Sequence, residues 1–221
     1  MSGAEAGSAA AYDPPLSALA ARAEALAAAP RSILGIVGPP GGGKSTLAQA
    51  LVAQLGEPAR NVPMDGFHLA NSELARLGRA DRKGAPDTFD AAGFAALLER
   101  LRRPEGPAVY APEYRREIEE SVGGAVRVDA EVRLVVTEGN YLLLDDAGWA
   151  PVRDLLDEVW FVDMDEEHRL AQLVERHVRF GKSAEQAYAW AHASDQRNAE
   201  LVAATRDRAD LVVRLEVGPP R

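Results

Sequence analysis

Gly38-Pro-Pro-Gly-Gly-Gly-Lys44-Ser45 follows the apolar run Ile33-Leu-Gly-Ile-Val37 and leads into Thr46-Leu-Ala-Gln-Ala-Leu-Val52. The first run reads as a short buried strand and the last as a helix, so the glycines form the turn of a strand–turn–helix unit. In that setting the pattern GxxxxGK[ST] has a physical meaning. Glycines let consecutive backbone N–H groups turn inward around phosphate oxygens, and the helix N-terminus adds its dipole. Lys44 can reach the β- and γ-phosphates, and the Ser45 hydroxyl can ligate Mg²⁺. Gly38, Gly41, Gly42, Gly43, Lys44, Ser45 and Thr46 are therefore the expected phosphate-binding residues. The alternative is a glycine-rich turn with a surface lysine. A chance match in a chain of this kind is on the order of one in a hundred, and the flanking strand and helix lower it further. The stretch predicts a nucleoside-triphosphate site.

Composition narrows the class. A chain of 221 residues can bury one α/β core, and 47% hydrophobic residues argue against disorder. No apolar run approaches the ~20 residues of a membrane span, so no membrane partner is expected. There are no cysteines, which excludes a disulfide framework or a thiolate zinc site. The start, Met-Ser-Gly-Ala-Glu-Ala-Gly-Ser, lacks the basic and apolar regions of a signal peptide, and a cytoplasmic enzyme is expected. A net charge of −9 argues against a nucleic-acid partner. Of 25 basic residues only Lys44, Lys83 and Lys182 are lysines. A chain so biased toward arginine keeps lysine where a compact ammonium is useful. Lys44 and Lys83 fit that idea, whereas Lys182 reads as an ordinary surface residue.

Strands alternate with helices, the pattern of a parallel sheet covered on both faces. Residues 1–14, rich in Ala, Gly and Ser, read as a disordered tail, and 15–221 as a single domain. Helices are expected at 15–29, 44–55, 94–102 and 149–156, with a long charged helical stretch at 165–204. Strands are expected at 32–38, 61–64, 132–137, 158–163 and 209–215, and residues 71–90 read as irregular.

Two carboxylates fall where strands end. In open α/β sheets ligands bind beyond the carboxyl ends of the strands. Asp65, in Asp65-Gly-Phe-His68, follows the second strand and can take the proton of an attacking hydroxyl; a turn aspartate is the plainer reading. Glu138 closes Val135-Val-Thr-Glu138, where it can orient Mg²⁺ together with Ser45. His68, three residues past Asp65, is placed to touch an acceptor. Arg169, Arg176 and Arg179 share one side of a helix, where one or two could stabilise a phosphoryl group in transfer or simply solvate the surface among Glu166, Glu167 and Glu175. His177 and His192 read as packing or surface residues.

Asp65-Gly-Phe-His68, Arg82-Lys-Gly-Ala-Pro-Asp-Thr-Phe-Asp90, Ala111-Pro-Glu-Tyr114 and Glu138-Gly-Asn-Tyr141 resemble the uridine kinase and type I pantothenate kinase group of P-loop kinases. The similarity runs from about residue 30 to 215, and is strongest to a bacterial branch named for nucleoside/nucleotide or fructose-transport-system kinases. It implies a three-layer P-loop fold with a five-stranded parallel sheet, helices on both faces and a helical lid at about 165–204. It also implies transfer of the ATP γ-phosphoryl group to a hydroxyl, with ATP and Mg²⁺ as cofactors. Asp65 would be the base, Lys44 and Arg176 its catalytic partners, Arg179 a further contact to ATP, and Ser45 and Glu138 the metal residues. His68, Arg82, Lys83, Asp87, Tyr114, Arg116 and Asn198 would bind the acceptor. Asp87 matches the carboxylate that uridine kinases place on ribose hydroxyls, and Tyr114 matches a tyrosine of the pantothenate kinase pocket. Arg116 replaces a histidine of those enzymes, and Leu173 replaces an aromatic residue that closes over pantothenate. Arg82, Lys83, Arg115 and Arg116 would also suit an anionic acceptor.

The leading expectation is a small-molecule kinase acting on a nucleoside, sugar or related metabolite. A pantothenate kinase-like enzyme, a nucleotide-dependent switch or ATPase, and a non-catalytic binder are the alternatives; a homodimer is left open. A switch GTPase would show Asn-Lys-x-Asp, and no lysine here follows an asparagine.

Overall fold

The structure, a computed structural model, describes residues 11–103 and 105–216. A six-stranded sheet organises it. The strands β1 (Ala11–Asp13), β2 (Ser32–Val37), β3 (Ala59–Asn61), β6 (Leu134–Gly139), β7 (Glu158–Met164) and β8 (Leu211–Glu216) lie in the order β1-β8-β7-β2-β6-β3. From β8 to β3 all pairings are parallel, giving the expected five parallel strands, while β1 adds an antiparallel sixth at the edge. Within the expected tail, Ala11–Asp13 is instead a strand paired with Arg214–Glu216, and residues 1–10 lie outside the described residues.

All six residues of β2, and all six of β6, are buried, because helices cover both faces. Strand periodicity splits them between two cores. Ile33 and Val37 join Val135, Val159, Phe161, Phe94 and Trp149 on one face. Leu34 and Ile36 join Val136, Trp160, Val162, Leu47 and Leu51 on the other. On the second face lie α1 (Leu16–Leu26) and α2 (Lys44–Leu55), and on the first lie α4 (Ala91–Leu101) and α5 (Ala150–Asp154).

The chain leaves β2 toward β3 and β6 on one side, and later builds β7 and β8 on the other. That reversal makes the end of β2 the switch point where an open sheet has its ligand crevice.

The structure departs from expectation in three places. The second strand ends at Asn61, and Met64–Phe67 is instead a 3-10 turn, since Pro63 cannot donate to the ladder. Residues 71–90 carry α3 (Asn71–Arg76) and two 3-10 turns rather than irregular chain. The segment after α4 forms an unexpected antiparallel hairpin of β4 (Val109–Arg115) and β5 (Glu120–Val128).

The stretch 165–204 is helical, in pieces. α6 (Glu166–Arg179) is capped by Asp165, and α7 (Ala184–Trp190) by a Ser183–Gln186 capping box. A π-helical turn, Ala191–Asp195, then joins α7 to α8 (Gln196–Ala203). Among the described residues no helix is long and apolar enough to cross a membrane.

Candidate active site

The loop after β2 is shaped for an anion. Gly41 adopts φ 78°, and a Cβ there would stand 2.7 Å from Leu173 Cγ, so only glycine allows this turn so close to α6. The N–H groups of Gly43, Lys44, Ser45 and Thr46 find no acceptor among the described residues. They form the open donor set that phosphate oxygens satisfy at helix starts.

Lys44 is only 8% exposed and its Nζ donates to the Pro39 carbonyl at 2.9 Å. Burial pulls its pKa down to about 8, against the opposing attraction of the Glu138 and Asp65 carboxylates. The Ser45 hydroxyl donates to Glu138 Oε1 at 2.8 Å across the rim from α2 to β6. Burial, then the charge of Asp65, raises the Glu138 carboxyl above its ordinary range, while Lys44 and the Ser45 hydrogen bond pull the other way. A buried lysine, an acid held out of water and a hydroxyl bonded to it fit a metal–phosphate site: a bound cation and phosphates would supply the charges this pair lacks.

This loop opens on two connected spaces. One, of about 460 Å³, is walled by Gly41–Thr46, Arg116, Gln172, Arg176 and Arg179. The other, of about 340 Å³, runs from Lys44, Ser45 and Glu138 past Asp65 and His68 to Lys83, Tyr114 and Asn198.

Asp65 sits in the 3-10 turn that follows β3, and Gly66 beside it packs its backbone against the Pro112 carbonyl of the hairpin. Arg116, from the same hairpin, brings Nη2 to 3.5 Å from Asp65 Oδ2. His68 Nδ1 lies 2.8 Å from the Asp65 carbonyl. Its ring packs between Phe89 and Tyr114, with centroids 4.0 and 4.5 Å away. Burial lowers the pKa of His68 and pushes Tyr114 up to about 12, so both face the cleft uncharged at neutral pH.

From α6, Arg176 reaches both spaces. Burial and the neighbouring Arg116 make its charge costly, and among the described residues no acceptor bonds it. Asn198 Nδ2 donates to the Gly84 carbonyl at 3.3 Å, on the acceptor side.

Several expected residues lie elsewhere. Asp87 is held by Arg82 and by Arg79, whose Nε is 3.4 Å from Oδ2, and neither Asp87 nor Arg82 lines the cleft. Arg115 pairs with Glu113 on the exposed side of the hairpin. Arg179 pairs with Glu175 at 2.7 Å and only borders the phosphate space. Leu173 is fully buried against Gly41 rather than over the acceptor cleft, so its identity does not discriminate between acceptors. Arg169 is buried and donates to the Pro40 carbonyl at 3.3 Å, tying α6 to the loop instead of meeting a ligand.

Four cleft residues of the helical arm were not anticipated. Lys182 and Trp190 line it from the helical arm, as do His177 and Asp195, joined by a 2.7 Å hydrogen bond between Nε2 and Oδ2. The π-helical turn presents Asp195 to α6, a local irregularity that sequence periodicity does not reveal.

The phosphoribulokinase/uridine kinase family model matches residues 33–218. An uncharacterized protein of Escherichia coli (strain K12), YggC, is 36% identical over 191 residues, covering 84% of this chain and 78% of that one. A Schizosaccharomyces pombe protein named "Putative uridine kinase C227.14" is 30% identical over 194 residues, covering 83% of each chain. Among solved structures, a "putative fructose transport system kinase" from Silicibacter sp. TM1040 superposes with a TM-score of 0.78 at 38% identity. That superposition covers 89% of this chain and 98% of the other.

Proposed function

The chain belongs to the phosphoribulokinase/uridine kinase family, and from that premise we propose that it is an ATP-dependent kinase moving the γ-phosphoryl group onto a hydroxyl of a nucleoside, sugar or related metabolite. One observation carries the reading: Asp65, Lys44 and the bonded pair Ser45–Glu138 all line a single cleft.

The roles follow from position. The loop amides and Lys44 hold the phosphate tail of ATP and offset the charge that builds on the leaving β-phosphate. Ser45 and Glu138 would hold Mg²⁺, which there neutralises charge on the phosphate oxygens. Asp65 accepts the proton of the acceptor hydroxyl as its oxygen bonds to the γ-phosphorus, and the bond to the β-phosphate oxygen breaks to release ADP. Arg176, brought from α6, stabilises the phosphoryl group in flight, and Arg116 keeps the Asp65 carboxylate in place. Little covalent chemistry is asked of the protein; positioning and charge do most of it.

The test is acceptor-dependent ADP release over nucleosides, sugars, sugar phosphates and pantothenate. At least one should be turned over, and Asp65→Asn should lower its kcat by roughly 10²–10⁴-fold with little change in ATP affinity. Release of ADP indifferent to every acceptor, or full activity in Asp65→Asn, would sink the proposal.

A further inference from the structure

Resting on the kinase reading of this site, we propose that the acceptor carries an oxyanion, a carboxylate or a phosphate ester, bound by the ammonium groups of Lys83 and Lys182 while its hydroxyl faces Asp65.

The chain writes nearly all of its 25 basic residues as arginine, yet all three of its lysines line the same cleft. Lys44 belongs to the phosphate loop. The other two come from different walls, Lys83 from the segment between β3 and β6 and Lys182 from the turn after α6. Among the described residues every ion pair within 4.0 Å is made by an arginine or a histidine, and no lysine has a carboxylate that close; Glu119 and Glu120 stand farther from Lys83 and favour its charge without pairing with it.

Both ammonium groups are nevertheless held in place. Lys182 Nζ stands 4.7 Å from the centre of the Trp190 ring, which fixes it without neutralising it. Lys83 Nζ lies 5.3 Å from the centre of the Tyr114 ring and donates to Asn71 Oδ1 and the Glu119 carbonyl, each at 2.5 Å. An ammonium has three donors, so one remains for a ligand. Positioned cations without a directly paired carboxylate are what an anionic ligand completes.

The ligand that would need no such cations is disfavoured on the same grounds. Asp87, the carboxylate expected to hold a ribose diol, lies outside this cleft in the grip of Arg79 and Arg82, and Asp195, which does line it, is already bonded to His177. The competing account, that both lysines only pack on aromatic rings, makes a different prediction about the acceptor's KM.

The experiment uses matched acceptors that differ in one charge: D-glycerate and glycerol, pantothenate and panthenol, fructose 6-phosphate and fructose, uridine 5′-monophosphate and uridine. Turnover should be confined to anionic members, and whether carboxylates or phosphates react identifies the oxyanion. For the reactive compound, Lys182→Gln should raise KM roughly ten- to hundredfold, the worth of one charged hydrogen bond, with kcat within about twofold. Lys182→Arg, which keeps the charge, should recover most of the loss. Equal turnover of neutral partners, or an unchanged KM in Lys182→Gln, overturns the inference. If no compound is turned over, calorimetric binding in the presence of Mg·ADP separates the two readings. Anionic members that bind wild type and weaken with Lys182→Gln uphold the lysine site while the kinase reading fails. Binding of neutral members alone, or of none, overturns the lysine site as well.

Discussion

Glu138 stands at the end of β6, bonded to Ser45 and buried. Burial disfavours its ionised form and the nearby Asp65 charge adds to that, so its folded pKa is raised. A raised acid costs stability at pH above its folded value, and the cost fades as pH falls through it. Glu138→Gln should therefore raise the melting temperature of the ligand-free protein at neutral pH. The same change should lower Mg²⁺-dependent turnover by about 10–100-fold or more, since a metal-orienting group is gone. A variant that is both less stable and fully active would contradict both halves. The meeting of Lys44, Ser45, Asp65 and Glu138 at one cleft was legible in the sequence because each position is tied to a local event, a glycine turn or a strand end. Lys182, His177 and Asp195 were not, because what places them in the cleft is the packing of α6 against the π-helical turn, a contact between residues distant in sequence. Asp87 misled for the converse reason: its motif is local, but the arginines that occupy it, Arg79 and Arg82, are too.

At the scale of elements the helical arm is the informative part. α6 is docked from its first turn to its middle, where Arg169 bonds the Pro40 carbonyl and Leu173 packs on Gly41, and it delivers Arg176 one turn further on. Leu173→Ala should cost roughly 2–5 kcal/mol in stability, as large buried truncations do, and should weaken Mg·ATP binding because the phosphate loop loses its support. Calorimetry would show it; intact ATP affinity would mean that loop and arm are independent. Arg176→Ala belongs to the same element but should behave differently. It should lower kcat much more than it weakens ATP binding, because its charge is used in transfer. The elements themselves were readable wherever a face is buried: β2, β6, β7, β8 and α2 fell within a few residues of expectation. The hairpin of β4 and β5 escaped for two reasons. Most of β5 is exposed or half-buried, so no apolar alternation marks it, and the register slips between Ala111 and Glu113.

For the whole molecule, one titration links the site to stability. Lys44 has its pKa lowered from 10.5 to about 8 in the folded protein. The sign differs from that of an ion-paired lysine. Below about pH 8 both states hold the proton, and folding bears the full cost of a desolvated ammonium. Between about 8 and 10.5 the unfolded chain binds more protons than the folded one, so stability rises with pH; above that window the cost is gone. At 1.36 kcal/mol per pH unit, the full relief is on the order of 3 kcal/mol. Denaturant unfolding of the ligand-free protein between pH 7.5 and 10 should show this rise relative to Lys44→Met, whose side chain never charges. Saturating Mg·ADP should flatten the difference, because phosphate oxygens beside the ammonium restore its preference for the charged form. It should also make ligand stabilisation largest at the low end of the window, where the unliganded cost is greatest. If wild type and Lys44→Met track each other across the window, Lys44 is already neutralised by Glu138 and Asp65, and the loop has no unmet charge for a phosphate to satisfy.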